Sequence, residues 1–194
     1  GVLFTMPVPG GLATRVIDVY HDAREPAWSA DDTQIAFQGY RNGNWDIWQV
    51  AAAGGTPSPI TQDPFDDREP QFSPDGTQLA FSSDRTGNYD IWVISLRDGD
   101  LQQITHDASN EHSPAWSPDG TRLAYAVDVG STSGEIRVAD LNSDNPQVVA
   151  AETAIINGIS WQPDGSGLSY QSLSRNPGAV TELKRLSLTS GRTQ

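Results

Sequence analysis

The chain has 194 residues, a formal net charge of −13 at pH 7 and no cysteine. This acidic balance disfavours nucleic acid or an anionic membrane as a partner, because both attract positive charge. The sequence lacks the run of about 18 apolar residues that predicts a transmembrane helix, and the absence of cysteine excludes disulfides and thiolate chemistry. We therefore expect no membrane insertion, no nucleic acid and no cofactor.

In chain order, the first predicted element is the middle of a repeating unit. Phe4-Thr5-Met6 lies 44 residues before Trp48-Gln49-Val50, and Gly10-Gly11 lies 44 before Gly54-Gly55. We expect a partial unit over residues 1–21, with a strand near residues 14–17. The sequence starts without methionine, which indicates that a leader was removed or that this is a piece of a longer protein.

Four copies of a unit of about 44 residues follow. The second copy reads Phe72-Ser73-Pro74-Asp75-Gly76-Thr77-Gln78-Leu79-Ala80-Phe81. The aromatic residue that opens this motif stands at positions 28, 72, 116 and 161, so the steps are 44, 44 and 45. A fixed period of this size indicates a repeat architecture. We expect units at approximately 22–65, 66–109, 110–152 and 153–194, within a single region over 1–194.

Short strands and tight turns account for each unit. Turn-forming residues separate runs with the two-residue alternation and the aromatic and β-branched content of strands. In the second unit the strands are expected over residues 70–73, 79–82, 89–94 and 101–105. Four antiparallel strands per unit, without a helical period, predict an all-β fold, a β-propeller with about four blades. The recurring aromatic residues are then expected to pack between blades: Trp28, Trp48, Phe72, Trp92, Trp116 and Trp161.

Some positions depart from the repeat. The first unit has Ala30-Asp31-Asp32 where Pro-Asp-Gly is expected, and the third replaces the Asp-Arg-x-Gly-Asn turn with residues 128–134. In the second unit Asp84, Asn88 and Asp90 invite a calcium interpretation. Their spacing lacks the ligands of an EF-hand loop, so a hairpin turn with a side-chain cap is favoured.

Candidate binding residues stand before each first strand, where a propeller directs them to one mouth of its central channel. They form two columns around the axis, and either a polar surface for a peptide or small ligand, or contacts that satisfy neighbouring blades, would explain them. The first column is Arg24, Arg68, His112 and Asn157, and the second is Glu25, Glu69, Ser113 and Gly158, with Glu111 beside His112.

Catalytic motifs are poorly represented. The nearest approach to a nucleophile elbow, Gly130-Ser131-Thr132-Ser133-Gly134, has threonine at the centre and no helix after it. Neither a phosphate-binding loop nor an HExxH motif occurs, and His21, His106 and His112 are isolated in sequence. We expect no catalytic activity and no metal site.

The segments over residues 72–81 and 83–92 resemble the WD-repeat-like blades of TolB-like propellers, the periplasmic propellers of the Tol–Pal system. Similar blades form the non-catalytic propellers of tricorn protease and prolyl-oligopeptidase-type peptidases, and they precede catalytic domains in some amidohydrolases. The resemblance covers nearly the whole chain, although nothing resembles the α/β domain of TolB. It implies a periplasmic or other extracytoplasmic location.

This resemblance implies a non-catalytic scaffold that binds a protein partner. Two alternatives stay open: a substrate-gating propeller of a larger hydrolase or peptidase, and a sugar- or metal-binding propeller of the lyase type. Four blades without closure leave apolar faces in water. We therefore expect two chains to pair end to end, with the strand near residues 14–17 completing a blade formed by residues 159–188. Closure of four blades within one chain is the weaker alternative.

Overall fold

The computed structural model describes residues 1–8, 10–17, 22–141, 145–174 and 180–188. In these ranges the protein is all-β, and no helix there is long and apolar enough to span a bilayer. The strands are β1 (Phe4–Thr5), β2 (Thr14–Arg15), β3 (Asp22–Trp28), β4 (Gln34–Arg41), β5 (Asn44–Ala51), β6 (Ser58–Pro59), β7 (Asp67–Phe72), β8 (Gln78–Ser83), β9 (Asp90–Ser95), β10 (Leu101–Gln103), β11 (Glu111–Trp116), β12 (Arg122–Asp128), β13 (Gly134–Asp140), β14 (Gln147–Glu152), β15 (Ile155–Trp161), β16 (Gly167–Leu173) and β17 (Thr181–Ser187).

These strands form antiparallel sheets in which each strand pairs with the next along the chain. We name β3 to β6 sheet I, β7 to β10 sheet II, β11 to β14 sheet III and β15 to β17 sheet IV. The first strands of successive sheets lie side by side, because β3 contacts β7, β7 contacts β11 and β11 contacts β15. The sheets are therefore the blades of a β-propeller, with the first strand of each blade innermost, as the repeat predicts.

The pair β1–β2 repeats the outer half of a blade. Phe4 is opposite Arg15, and one period later Trp48 is opposite Pro59. The same register in both places follows from the 44-residue period, which places equivalent residues in equivalent strands. The pair thus corresponds to the third and fourth strands of a blade that precedes sheet I.

The core lies between successive sheets, because each sheet buries both faces of its middle strands. Equivalent positions of the second strands hold Phe37, Phe81, Tyr125 and Tyr170, and all four side chains are almost completely buried. The indole N–H groups reinforce this packing: Trp116 Nε1 donates to the Gln71 carbonyl at 3.1 Å, and Trp161 Nε1 to the Ala115 carbonyl at 3.0 Å. Packing of Trp116 and Trp161 between blades is therefore confirmed, whereas Trp28 is 49% exposed.

One turn geometry closes the hairpin between the first and second strands of every blade. In sheet II, Asp75 Oδ1 accepts hydrogen bonds from Ser73 Oγ at 2.6 Å and from the Thr77 amide at 3.1 Å. The residue after this aspartate is left-handed, which suits the Gly of three units; in the first unit Asp32 adopts the same conformation, with φ of 57°. The departure at Ala30-Asp31-Asp32 therefore changes the sequence of this turn but preserves its geometry.

Candidate functional site

A β-bulge recurs at the same place in every innermost strand. The pairing register slips between Arg24 and Ala27 in β3, and at the equivalent positions in β7, β11 and β15. At each bulge one residue is left-handed, with φ between 46° and 59°: Glu25, Glu69, Ser113 and Gly158. Three of these are not glycine, so the chain tolerates backbone strain at one repeated position. A bulge re-aims side chains, and here it directs the second predicted column inward.

The bulges line a groove that runs along the inner edge of the four sheets. Its volume is about 510 Å³. The wall combines the bulge residues with neighbouring prolines and amide side chains, and no Lys or Arg among the described residues lines it. Its residues are Glu25, Pro26, Glu69, Gln71, Ser113, Pro114, Asn157, Gly158, Ile159 and Gln171. The groove is therefore acidic and rich in hydrogen-bond acceptors.

Two bulges are held by side chains of the preceding sheet. The Glu69 amide donates to Gln38 Oε1 at 3.0 Å, and the Ser113 amide donates to Glu69 Oε2 at 2.5 Å. Glu69 therefore joins sheets II and III besides forming part of the groove wall. Within the described residues, nothing pairs with the carboxylate of Glu25, so this group is available to a ligand.

The arginines of the first column do not line the groove. Arg24 Nη2 lies 2.8 Å from Asp22 Oδ2, and its guanidinium stacks 4.9 Å from the ring centroid of Trp45. In sheet II, Arg68 repeats this arrangement, with Asp66 Oδ2 at 2.6 Å and the Tyr89 ring at 5.0 Å. Each cation is thus held by two contacts within the protein. One is an ion pair with the acid two residues earlier, and the other is a cation–π contact with an aromatic residue that follows the second strand of the sheet.

The other candidates occupy different environments. Asn157 lines the groove. His112 Nε2 lies 3.4 Å from Asp128 Oδ1, and His112 Nδ1 lies 3.3 Å from Ser113 Oγ. Glu111 is completely buried between sheets II and III. The structure thus brings together Glu25, Glu69 and Asn157, and their binding role stays a prediction.

The structure contains a buried ion pair that the sequence did not predict. Arg85 Nη2 lies 2.9 Å from Asp67 Oδ1 and 3.2 Å from Asp63 Oδ2, and its guanidinium lies 4.9 Å from the Trp92 ring centroid. Burial raises the pKa of Asp67 to about 6, against the opposing effects of the Ser83 hydroxyl and the Arg85 charge. In the sequence, Arg85 stands in the Asp-Arg-x-Gly-Asn turn. Such a polar turn predicts an exposed arginine, so the sequence does not indicate that Arg85 is buried.

The asparagines of these turns hold the connections between blades. Asn88 Nδ2 donates to the carbonyls of Asp107 at 3.0 Å and Ser109 at 2.6 Å, and Asn44 makes the equivalent pair of bonds one period earlier. Asp84 Oδ1 accepts from the Asp66 amide at 2.9 Å. These contacts support the side-chain cap over the calcium interpretation.

The groove presents polar and acidic groups to a ligand. Across the described ranges no cluster of three or more His, Asp or Glu residues could hold a metal ion. His21 lies outside these ranges, and the absence of a metal site stays a prediction. The arrangement offers carboxylates, amides and one hydroxyl to a ligand, which fits recognition of a cationic or hydrogen-bond-donating group.

Comparison with solved structures relates the fold to several proteins. A TolB-type protein of Agrobacterium tumefaciens superposes with a TM-score of 0.86 at 17% identity, and the match covers 100% of this chain and 73% of that one. TolB from Acinetobacter baumannii gives 0.85 at 19% identity, covering 100% and 48%. Oligogalacturonate lyase from Vibrio parahaemolyticus gives 0.70 at 11% identity, covering 100% and 58%. At these identities the likeness establishes the fold alone.

The chain spans about half the length of the Acinetobacter TolB and 30% of a puromycin hydrolase that it also matches. A comparison with curated protein sequences finds no relative that matches. The family model for the TolB beta propeller domain matches residues 26–134, which is more than half of the chain. The protein therefore belongs to the TolB beta-propeller domain family.

Proposed function

We propose that this propeller is a non-catalytic scaffold that binds a protein partner through the acidic groove. The observation that carries the proposal is the pair Glu25 and Glu69, which faces a groove whose described lining residues include no Lys or Arg. A partner segment with Lys or Arg side chains complements this wall. The net charge of −13 adds long-range attraction for such a segment.

The two carboxylates differ in how free they are to bind a partner. Glu69 already accepts from the Ser113 amide, so part of its capacity is used in the structure. Glu25 has no partner within the described residues, and its carboxylate is exposed. A salt bridge in this open setting contributes up to about 1 kcal/mol and is screened by salt. Glu25 is therefore the residue whose neutralisation should weaken binding with least damage to the fold.

Binding of a labelled lysine-rich peptide tests the proposal. The probe is a fluorescein-labelled peptide with four lysines separated by Gly-Ser, and the comparison peptide has glutamate at the same four places. We expect the lysine peptide alone to bind, and Glu25→Gln to weaken it about threefold to fivefold, because one exposed ion pair contributes about 1 kcal/mol or less. Fluorescence anisotropy at 50 mM and 500 mM NaCl measures both effects.

The control for this experiment is Asp100→Asn, which removes an exposed carboxylate in the turn before β10. It leaves the groove intact, so its effect should be much smaller than that of Glu25→Gln. Arg24→Ala tests the first column and should not weaken binding of a cationic peptide. Equal affinity for the lysine and glutamate peptides, or equal effects of the two acid-neutralising variants, contradicts the proposal.

Among the alternatives, a lyase-type role receives less support from the groove. The lyase that this fold resembles is described as acting on oligogalacturonate, and a chain of galacturonate units is polyanionic. Like charges in a partly enclosed groove repel. A gating role beside a catalytic domain remains compatible with the fold, although the groove offers nothing that favours it over direct binding.

We also propose that the protein acts outside the cytoplasm, as the periplasmic TolB relatives do. The support is family membership over residues 26–134. A cysteine-free chain is compatible with this location. Fusion to a reporter that is active only in the periplasm tests it, and an intact but inactive fusion protein would contradict the proposed location.

Self-association is a further proposal about partners. Large apolar side chains are exposed in or next to the first and last sheets of the chain: Phe4, Met6, Val180 and Leu183. Covering them with a second copy would remove this apolar surface from water. We expect light scattering to give twice the monomer mass of 20.9 kDa, and Leu183→Asp to shift the protein towards monomer. A stable monomer at about 100 μM, a concentration between the micromolar and millimolar dissociation constants of weak complexes, would overturn this proposal.

A further inference from the structure

One buried position of the innermost strands changes its chemistry from blade to blade. It is occupied by Asp67 in β7, Glu111 in β11 and Ile156 in β15. All three side chains are at most 1% exposed. A buried carboxylate is costly unless it is paired or neutral, so the two acidic positions must be stabilised in some way.

In sheet II the buried acid, Asp67, is paired with an arginine, whereas the buried acid of sheet III, Glu111, has no such cation in the described part of the chain. Arg85 reaches Asp67 at 2.9 Å, but the residue 44 positions after Arg85 is Val129, whose side chain is exposed. Within the described residues, neither carboxylate oxygen of Glu111 has a hydrogen-bond partner of ordinary geometry. The nearby Thr105 hydroxyl instead donates to Asp90 Oδ1 at 3.5 Å.

The ionisable groups around Glu111 do not supply the missing charge. Asp90 of β9 is itself buried and accepts from Gln103 Nε2 at 3.2 Å and from the Thr86 hydroxyl. The other groups facing this region are Asp107, which precedes β11, Tyr125 of β12 and Arg137 of β13. Arg137 is already paired with Asp107 and with Glu135.

Burial, together with the charges of Asp90 and Asp107, raises the pKa of Glu111 to about 8, against the lowering effect of Thr105. Near neutral pH the folded protein therefore holds Glu111 mainly in its protonated form. A neutral carboxyl group needs no cation beside it. This explains both why the oxygens of Glu111 are unpaired and why sheet III has Val129 where sheet II has Arg85. The geometry alone, a fully buried acid without a cation, leads to the same conclusion.

The backbone of the same residue joins the two sheets. The Glu111 amide donates to the Tyr89 carbonyl at 2.7 Å, and Ser82 Oγ donates to the Glu111 carbonyl at 2.8 Å. We propose that the contact between sheets II and III is a proton-controlled joint, closed while Glu111 is neutral and loosened when Glu111 ionises. Ser113, two residues further on, is the groove residue bonded to Glu69, so loosening the joint also disturbs the groove wall.

The direction of the pH effect follows from proton linkage. In the unfolded chain Glu111 titrates near the ordinary glutamate pKa of 4.5, whereas in the folded protein the pKa is about 8. Between these values the folded state holds more protons, so stability falls as pH rises through this window. Asp67 contributes in the same direction only up to its folded pKa of about 6. Of these two acids, Glu111 therefore dominates the pH dependence between pH 6.5 and pH 9, and the Glu111→Gln variant separates its contribution from that of other groups.

Amide hydrogen exchange tests the joint directly. In the wild type, after correction for the intrinsic pH dependence of exchange, we expect β11 amides to exchange at least tenfold faster at pH 9 than at pH 6.5. Glu111→Gln mimics the neutral acid and should abolish this difference. Val129→Arg offers the counter-ion found in sheet II and should reduce it, because an adjacent cation lowers the pKa of a carboxyl group.

One control variant and one fallback variant keep the outcome interpretable. Asp140→Asn neutralises an exposed acid at the other end of β13, opposite Arg122 of β12, and should leave the pH difference in β11 unchanged. If Glu111→Gln does not fold, Val129→Arg carries the test alone. Equal corrected protection of wild-type β11 at both pH values would overturn the proposal, as would a pH difference that persists unchanged in Glu111→Gln or, should that variant not fold, in Val129→Arg.

Discussion

Replacing Arg85 by methionine is expected to destabilise the protein by about 3–5 kcal/mol, because breaking a buried ion pair leaves an uncompensated charge. Asp67 has no exposed surface, and Arg85 Nη2 contacts both Asp67 and Asp63. The variant also loses the stacking of the guanidinium on the Trp92 ring. Urea unfolding followed by tryptophan fluorescence at pH 7 measures the change in the free energy of unfolding.

Two comparisons assign this loss to the buried pair. Arg97→Met removes a cation that is bonded to Asp98 at 3.0 Å but is 89% exposed, so its cost should be below about 0.5 kcal/mol. The double variant Asp67→Leu with Arg85→Met should regain most of the lost stability, because hydrophobic replacement of a buried pair is often neutral. Equal costs for Arg85→Met and Arg97→Met would contradict the assignment.

The second large effect is expected from Phe81→Ala, which should cost about 3–5 kcal/mol. Phe81 is completely buried and packs with Ile47, Leu79 and Ile94 in the core between sheets I and II. Its removal leaves a cavity that these neighbours, held in two different sheets, can fill only partly. Denaturant unfolding measures the loss.

The matched control is Leu101→Ala in β10 of the same sheet, where the side chain is 43% exposed. We expect this change to cost less than about 1 kcal/mol, since little apolar surface is returned to water. A cost below about 1 kcal/mol for Phe81→Ala would mean that sheets I and II do not share a packed core.

The fold could be predicted because one period controls both the turns and the core. The distance from Phe4 to Trp48 placed β1 as the third strand of a blade, and the observed register agrees. The prediction was wrong at strand ends. The first strand of sheet II begins at Asp67 and not at residue 70, because the bulge at Glu69 lets the chain pair with β8 on both sides of Pro70. A left-handed Glu before Pro has no sequence signature.

The outermost strand ends early for a different reason. Strand β10 stops at Gln103, where residues 101–105 were expected. Beyond it, Thr105 Oγ1 accepts the Ile91 amide at 2.8 Å. A side chain thus replaces the backbone partner of the ladder, and such a substitution cannot be read from the alternation of polar and apolar residues.

The candidate site was predicted in part. Sequence placed Arg24 and Glu25 together at the channel mouth, yet the structure separates them. The bulge turns Glu25 towards the groove, while Trp45 and Asp22 hold Arg24. Glu111 differs again, because its burial depends on the contact between two sheets. The replacement of Arg85 by Val129 was visible in the repeat, but its meaning depends on knowing that Arg85 is buried against Asp67.

Mapping the lysine peptide onto the propeller by amide chemical shifts tests the central claim most directly. Adding the lysine peptide to ¹⁵N-labelled protein should shift the amide resonances of the innermost strands β3, β7, β11 and β15. The largest shifts are expected for Glu69, Ser113 and Gly158, which line the groove. These perturbations should disappear at 500 mM NaCl, where the Debye length falls to about 4 Å. Perturbations confined to the outer strands β6, β10 and β14, or none at peptide concentrations of about 1 mM, the weak end of specific binding, would contradict the account.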